Sequence, residues 1–113
     1  MLIDTHCHLD KLDLTPYNND LQLALDAASV AGVKQIMSIC VDLSEVEQIL
    51  SYTERNGVYA SVGVHPLHGE GLLTQTHSLI SLLSHEKVVA VGETGLDFFY
   101  EKSSDLHQRQ IDS

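Results

Sequence analysis

Apolar residues in this 113-residue chain follow two alternating rhythms. Short apolar runs occur at Met1–His8, at Lys34–Val41 (KQIMSICV), at Val58–His65 (VYASVGVH) and at Val88–Glu93 (VVAVGE). Runs of this length and continuity predict strands buried on both faces. Between them the spacing becomes helical. Leu21, Leu25, Ala28 and Ala31 mark one face of a helix over Leu21–Ala31, and Gly32 stands where such a helix stops. Ser44 with Glu47 three residues on predicts a capping box opening a second helix, which buries Val46, Ile49 and Leu50 and ends at Gly57. A third helix is expected over Thr74–Glu86, with Leu79, Leu82 and Leu83 on one face. A fourth begins near Asp105, with Gln108 supporting its first turn.

Strand-then-helix repetition implies an α/β fold with a parallel sheet and right-handed crossovers. Two architectures satisfy it: an open doubly wound sheet, or part of a (β/α)8 TIM barrel. No glycine-rich phosphate loop follows the first strand, which weighs against dinucleotide binding. A complete barrel needs roughly 200 to 250 residues, and this chain offers about four βα units. The expectation is therefore one domain over residues 1–113 forming the N-terminal half of a barrel, truncated inside its last helix. Such a half-barrel is expected to leave Val89 and Val91 facing water, to be unstable and inactive as a monomer, and to associate with itself or with a missing C-terminal half.

Composition narrows the setting. Apolar residues make up 43 % and charged residues 19 % of the chain, which fits a globular protein. No apolar run approaches the ~18 residues of a membrane span, and MLIDTHCHLD lacks the basic and apolar regions of a secretory signal. Cys7 and Cys40 lie inside apolar runs and read as reduced, buried thiols of a cytoplasmic protein. The net charge is −10 with only six Lys and Arg, so no broad basic track can follow a nucleic acid. If the protein handles phosphates, bound metal ions must supply much of the positive charge. Solubility is the plainer explanation of the acidity.

Candidate chemistry collects at strand ends. His6 and His8 share one strand face, while Cys7 points the opposite way. Two imidazoles two residues apart can grip one ion of the zinc or manganese type, though they can equally be ordinary polar residues at a strand end. Asp4 and Asp10 share their parity and are expected to brace the imidazoles. In Gly92-Glu93-Thr94-Gly95-Leu96-Asp97, Glu93 ends an apolar strand, where a carboxylate is costly unless paired or metal-bound. The flanking glycines would let the backbone approach a ligand closely. Alternatively Glu93 braces a loop. His65, in Gly63-Val64-His65-Pro66, closes the third strand at the same rim. It could bind a substrate phosphate, tune a metal site, or merely bond to backbone. His68, His77, His85 and His107 read as surface histidines.

The stretches LIDTHCHLD, GVHP and GETGLDFFY occur in this order along the whole chain. Together they resemble the TatD-type metal-dependent deoxyribonucleases of the amidohydrolase superfamily. The resemblance implies a (β/α)8 barrel that hydrolyses phosphodiester bonds in DNA with two divalent ions (Mg, Mn or Zn). It also implies that His6 and His8 hold one ion, that Glu93 bridges both as the catalytic carboxylate, and that His65 assists at the substrate. Further ligands in the family, two histidines and an aspartate, come from later strands that are not in this chain. A non-catalytic half-barrel, or a superfamily hydrolase acting on an amide or ester, is the alternative.

Overall fold

The structure, a computed structural model, describes residues 1–68 and 79–112. Four strands, β1 (Leu2–Cys7), β2 (Val33–Ser38), β3 (Val58–Val62) and β4 (Val88–Val91), pair in parallel in the order β1-β2-β3-β4. Helix α1 (Leu21–Val30) connects β1 to β2, α2 (Val46–Tyr52) connects β2 to β3, and α3 (Ser104–Asp112) follows β4.

This order decides between the two architectures. A doubly wound sheet reverses its direction of travel at a switch point, which places helices on both faces. Here the strand order never reverses. Right-handed crossovers that always step the same way put every helix on one face, as in an arc of a (β/α)8 barrel. The core agrees: Leu9, Leu21, Ile36 and Val58 form one buried cluster, and Cys40, Ile49 and Ala60 a second, both between strands and helices. Cys7 packs against the first cluster, on the helix side, as its parity requires.

The opposite face of the sheet is open at the outer strands, while β3 is buried on both faces as its composition suggests, with Ala60, Ser61 and Val62 all buried. Leu2, Val89 and Val91 are all more than half exposed, while their neighbours Val88 and Ala90 are half-buried. In a closed barrel that face is the interior, where side chains of facing strands fill layers together.

Several boundaries differ from expectation. Each strand is shorter than its apolar run, because the last residues of each run leave the ladder to form the rim. Helix α2 is not opened by a Ser44–Glu47 capping box. Instead the Asp42 carboxylate accepts a 2.8 Å bond from Ser44 N and starts a 3-10 turn (Leu43–Glu45) that leads into α2. Nor does Gly57 end that helix, which stops at Tyr52 with Thr53 as its C-cap. Gly57 turns the chain into β3 with φ +77°, and a β-carbon there would lie 2.6 Å from the Lys34 carbonyl oxygen. Of the expected third helix, residues 74–78 lie outside the described residues. Residues 79–82 are helical, and the chain then turns at 83 rather than continuing to Glu86.

Candidate metal centre

Parallel strands deliver their C-terminal ends to one rim, and the rim gathers the four side chains singled out above. His6 and His8 stand at the end of β1, His65 follows β3, and Glu93 follows β4. Glu93 Oε2 lies 3.6 Å from His6 Nε2 and 3.9 Å from His8 Nε2, and its Oε1 lies 3.8 Å from His65 Nε2. One ligand atom each from His6, His8 and Glu93 falls within 4.8 Å of the others. These separations exceed hydrogen-bond length. Two imidazole nitrogens and a carboxylate oxygen facing one another at such spacing fit the donor set of a first-row divalent cation. The two rings meet nearly edge-on, with centroids 5.2 Å apart.

Backbone contacts between strands hold Glu93 in place. Gly92 N donates to the Val62 carbonyl (3.0 Å) and Glu93 N to the Cys40 carbonyl (3.2 Å). Ser61 Oγ donates to the Gly92 carbonyl at 2.8 Å. Gly63 packs directly on Gly92. Gly63 is the glycine that this close approach requires: a β-carbon on Gly63 would run into the Gly92 backbone, whereas one on Gly92 would meet nothing within 4 Å among the described residues. Sequence reasoning missed Ser61 altogether and named Gly63 only as part of a motif. A buried serine one residue before a strand's last position was the available signal.

His65 is fixed at both ends. Its N donates to the Val41 carbonyl at 2.9 Å, and its Nδ1 accepts from Leu67 N at 3.2 Å. With Nδ1 accepting, a neutral ring carries its proton on Nε2, the atom that faces Glu93. In that form His65 is a hydrogen-bond donor to the rim rather than a ligand.

The two bracing aspartates behave differently from expectation. Asp4 Oδ1 accepts from the backbone N of His6 at 3.0 Å, so it holds the strand end and not the ring. Asp10 turns its Oδ2 to Lys11 Nζ at 2.6 Å, and its buried Oδ1 has no partner among the described residues. Lys11 also reaches Glu45 at 3.5 Å. The nearer ammonium wins the Asp10 carboxylate.

Cys7 stays out of the site. Burial pushes its thiol above the ordinary range, and Asp4 and Asp10 add to the shift. Burial likewise raises the Cys40 thiol, whose Sγ lies 3.1 Å from the Asp42 carbonyl. Three of the histidines read as surface residues have structural partners. His68 Nδ1 lies 3.6 Å from Asp42 Oδ2 and its ring stands edge-on to His65, while half-buried His107 stacks on Phe98 at 4.2 Å. His85 is exposed and its Nδ1 accepts from Lys87 N at 3.2 Å, while His77 lies outside the described residues.

Past Glu93 the chain forms a short loop bounded by α3. Asp97 N donates to Gln110 Oε1 at 2.7 Å, and Gln110 Nε2 donates back to the Asp97 carbonyl at 3.1 Å. Nothing in the sequence announced this pairing; Gln110 is one of two glutamines on the helix, and only burial distinguishes it. Among the described residues no helix is long and apolar enough to cross a membrane.

Comparison with known proteins places this geometry. The family described as TatD related DNase matches residues 3–113. The uncharacterized metal-dependent hydrolase YabD of Bacillus subtilis is 33 % identical over 113 residues, covering 98 % of this chain and 43 % of YabD. Its counterpart YcfH of Escherichia coli is 34 % identical over 110 residues, covering 96 % of this chain and 41 % of YcfH. The crystal structure of YjjV, a TatD homologue from Escherichia coli, superposes with a TM-score of 0.69 at 30 % identity, over 96 % of this chain and 42 % of that one. The chain therefore spans about two fifths of the length of the relatives it matches, as a partial barrel.

Proposed function

This chain belongs to the TatD-related DNase family, and on that footing we propose that its rim serves a metal-dependent hydrolase that cleaves phosphodiester bonds in DNA with the help of two divalent ions, Mg, Mn or Zn. The observation that carries the reading is the convergence of His6, His8 and Glu93 from the two outermost strands, with ligand atoms within 4.8 Å of one another.

His6 and His8 would hold one ion through their Nε2 atoms, and Glu93 Oε2 would complete that face. Glu93 Oε1 points to the His65 side, which leaves it free to serve a second ion. Bound ions would supply positive charge at the phosphate and acidify a water molecule for attack. That charge is needed, because a chain of net charge −10 otherwise repels a polyanion. His65, with its proton on Nε2, would donate a hydrogen bond to a phosphate oxygen at the rim. Asp4 and the Gly92 backbone contacts keep the strand ends that carry these groups in register.

The test is metal titration followed by cleavage of a labelled DNA strand, with and without chelator, in protein carrying the remaining strands found in its relatives. Cleavage that needs the metal and disappears in Glu93→Gln supports the reading. Metal-independent cleavage, or turnover of amides or carboxylic esters but not of DNA, refutes it.

A further inference from the structure

The loop after β4 contains a feature that metal binding does not explain. A pocket of about 370 Å³ opens beside the site, lined by His65 and Glu93 together with Leu96, Asp97, Phe98 and Phe99. We propose that this pocket receives an unpaired nucleobase adjoining the scissile phosphodiester, with Phe99 as its stacking platform. The inference rests on the phosphodiesterase reading above and adds to it the residue that recognises the base.

Continuity is the first argument. His65 and Glu93 line both the metal centre and the pocket, so a phosphate engaged there presents its attached nucleoside to the pocket. Its volume lies within the roughly 300–1,000 Å³ of small-molecule sites.

Preorganisation is the second. Asp97 Oδ1 accepts bonds from Phe99 N (2.9 Å) and Tyr100 N (3.0 Å), and the paired bonds to buried Gln110 anchor Asp97 itself. Phe98 rests on His107. The backbone that carries the aromatic rings is therefore set before any ligand arrives, which lowers the cost of binding.

The third argument is the exposure of Phe99. Its side chain is 73 % exposed and touches Tyr100 edge-on at 4.9 Å. An aromatic ring left this open offers a π-face, which every base can use. Lys102 Nζ stands over one face of the Phe99 ring, 5.1 Å from its centre, which puts a positive charge at the platform in a chain with only six Lys and Arg and leaves the opposite face for the base. A base inside a duplex has both faces covered, so the occupant must have a free face, which an unpaired base at a strand end or in a single strand provides.

Two measurements test the proposal. The first is the ratio of kcat/KM for a strand carrying a base at the reacting nucleotide to that for the same strand with an abasic tetrahydrofuran there. The second is the affinity of a short labelled strand without metal, read by fluorescence anisotropy. Loss of one stacked base is worth roughly ten-fold or more. The metal-loaded protein carrying the relatives' remaining strands, which both measurements use, should therefore prefer the base by about that factor. Phe99→Ala and Phe99→Leu should bring the ratio close to one and weaken metal-free binding, and Phe99→Trp should preserve both. The melting transition of each variant, compared with the parent's, shows that it folds, and Phe99→Leu keeps an apolar side chain at the position. Equal cleavage of the two strands by the parent, or an unchanged ratio in Phe99→Ala and Phe99→Leu, overturns the proposal and leaves the phosphodiesterase reading intact. Failure to cleave either strand removes both.

Discussion

A β-carbon on Gly63 would lie 2.7 Å from the carbonyl carbon of Gly92 and 2.8 Å from its oxygen. The missing side chain of Gly63 lets the segments that follow β3 and β4 approach closely just where the chain delivers Glu93 to the rim. Gly63→Ala must therefore push the Gly92–Glu93 backbone away from its contacts with Val62 and Cys40. Overpacking of this kind costs about 1–3 kcal/mol. The expected result is a lower denaturation midpoint together with weaker Mn²⁺ binding in calorimetry. A variant that loses stability but binds Mn²⁺ as the parent does would show that the contact is purely structural.

Removing the paired imidazoles gives a sharper readout. His6→Ala with His8→Ala takes two of the three clustered ligand atoms away, so one equivalent of bound metal should vanish. Both residues lie at a partly open strand end, and the fold should survive. Unchanged stoichiometry by elemental measurement would sink the assignment of these histidines as ligands.

Cys7 sits between the two histidines in sequence but on the other side of the sheet in space. Cys7→Ala should cost about 1 kcal/mol or more in stability, as small deletions from packed sites do, while metal stoichiometry stays as in the parent. Lost metal in a folded Cys7→Ala protein would contradict the helix-side placement.

The convergence of the candidate-site residues was legible because strand parity is a strict rule. His6, His8, His65 and Glu93 all end apolar runs, and parallel strands must bring such ends to one rim. Parity also separated Cys7 from its neighbours. Strand order was not legible, since alternating βα units permit both a doubly wound and a singly wound sheet. Local competition misled the rest. Ser44 and Glu47 have capping-box spacing, but Asp42 lies upstream and its carboxylate captures Ser44 N first. Asp10 has the right parity to brace an imidazole, yet the adjacent Lys11 takes it. The Asp97–Gln110 pairing spans 13 residues and carries no periodic signal.

Asp42 yields a prediction about pH. Hydrogen bonds from Ser44 hold its carboxyl below the ordinary 3.8, and His68 adds a smaller pull in the same direction. A folded-state value below the unfolded one means stability that is present above the unfolded value and lost as pH falls through the folded one. Asp42→Ala should remove a cap worth about 1 kcal/mol at neutral pH. Asp42→Asn, which can still accept the Ser44 bond, should keep most of that stability and lose its acid dependence. Denaturant midpoints between pH 7 and pH 3 check both. An acid dependence as steep in Asp42→Asn as in the parent would remove Asp42 from the account.

The open face of the sheet bears on the 113-residue chain expressed by itself. Leu2, Val89 and Val91 are 61 %, 57 % and 56 % exposed on the side opposite the helices. Large apolar side chains left in water forfeit roughly 1.5–3 kcal/mol of burial each, a heavy loss against the ~5–15 kcal/mol that holds a domain together. Strands β1 and β4 are also the two edges of the sheet, and unpaired edges template association. Both features favour a partner that covers the face and continues the ladder. Sedimentation of the chain should therefore reveal dimers or larger species, and Val89→Lys with Val91→Lys should shift it toward monomer, because two charges on one face resist burial. Added protein carrying the relatives' remaining strands should compete with self-association. A monodisperse parent monomer, with a melting transition unaffected by those lysines, would show that the open face is tolerated in water.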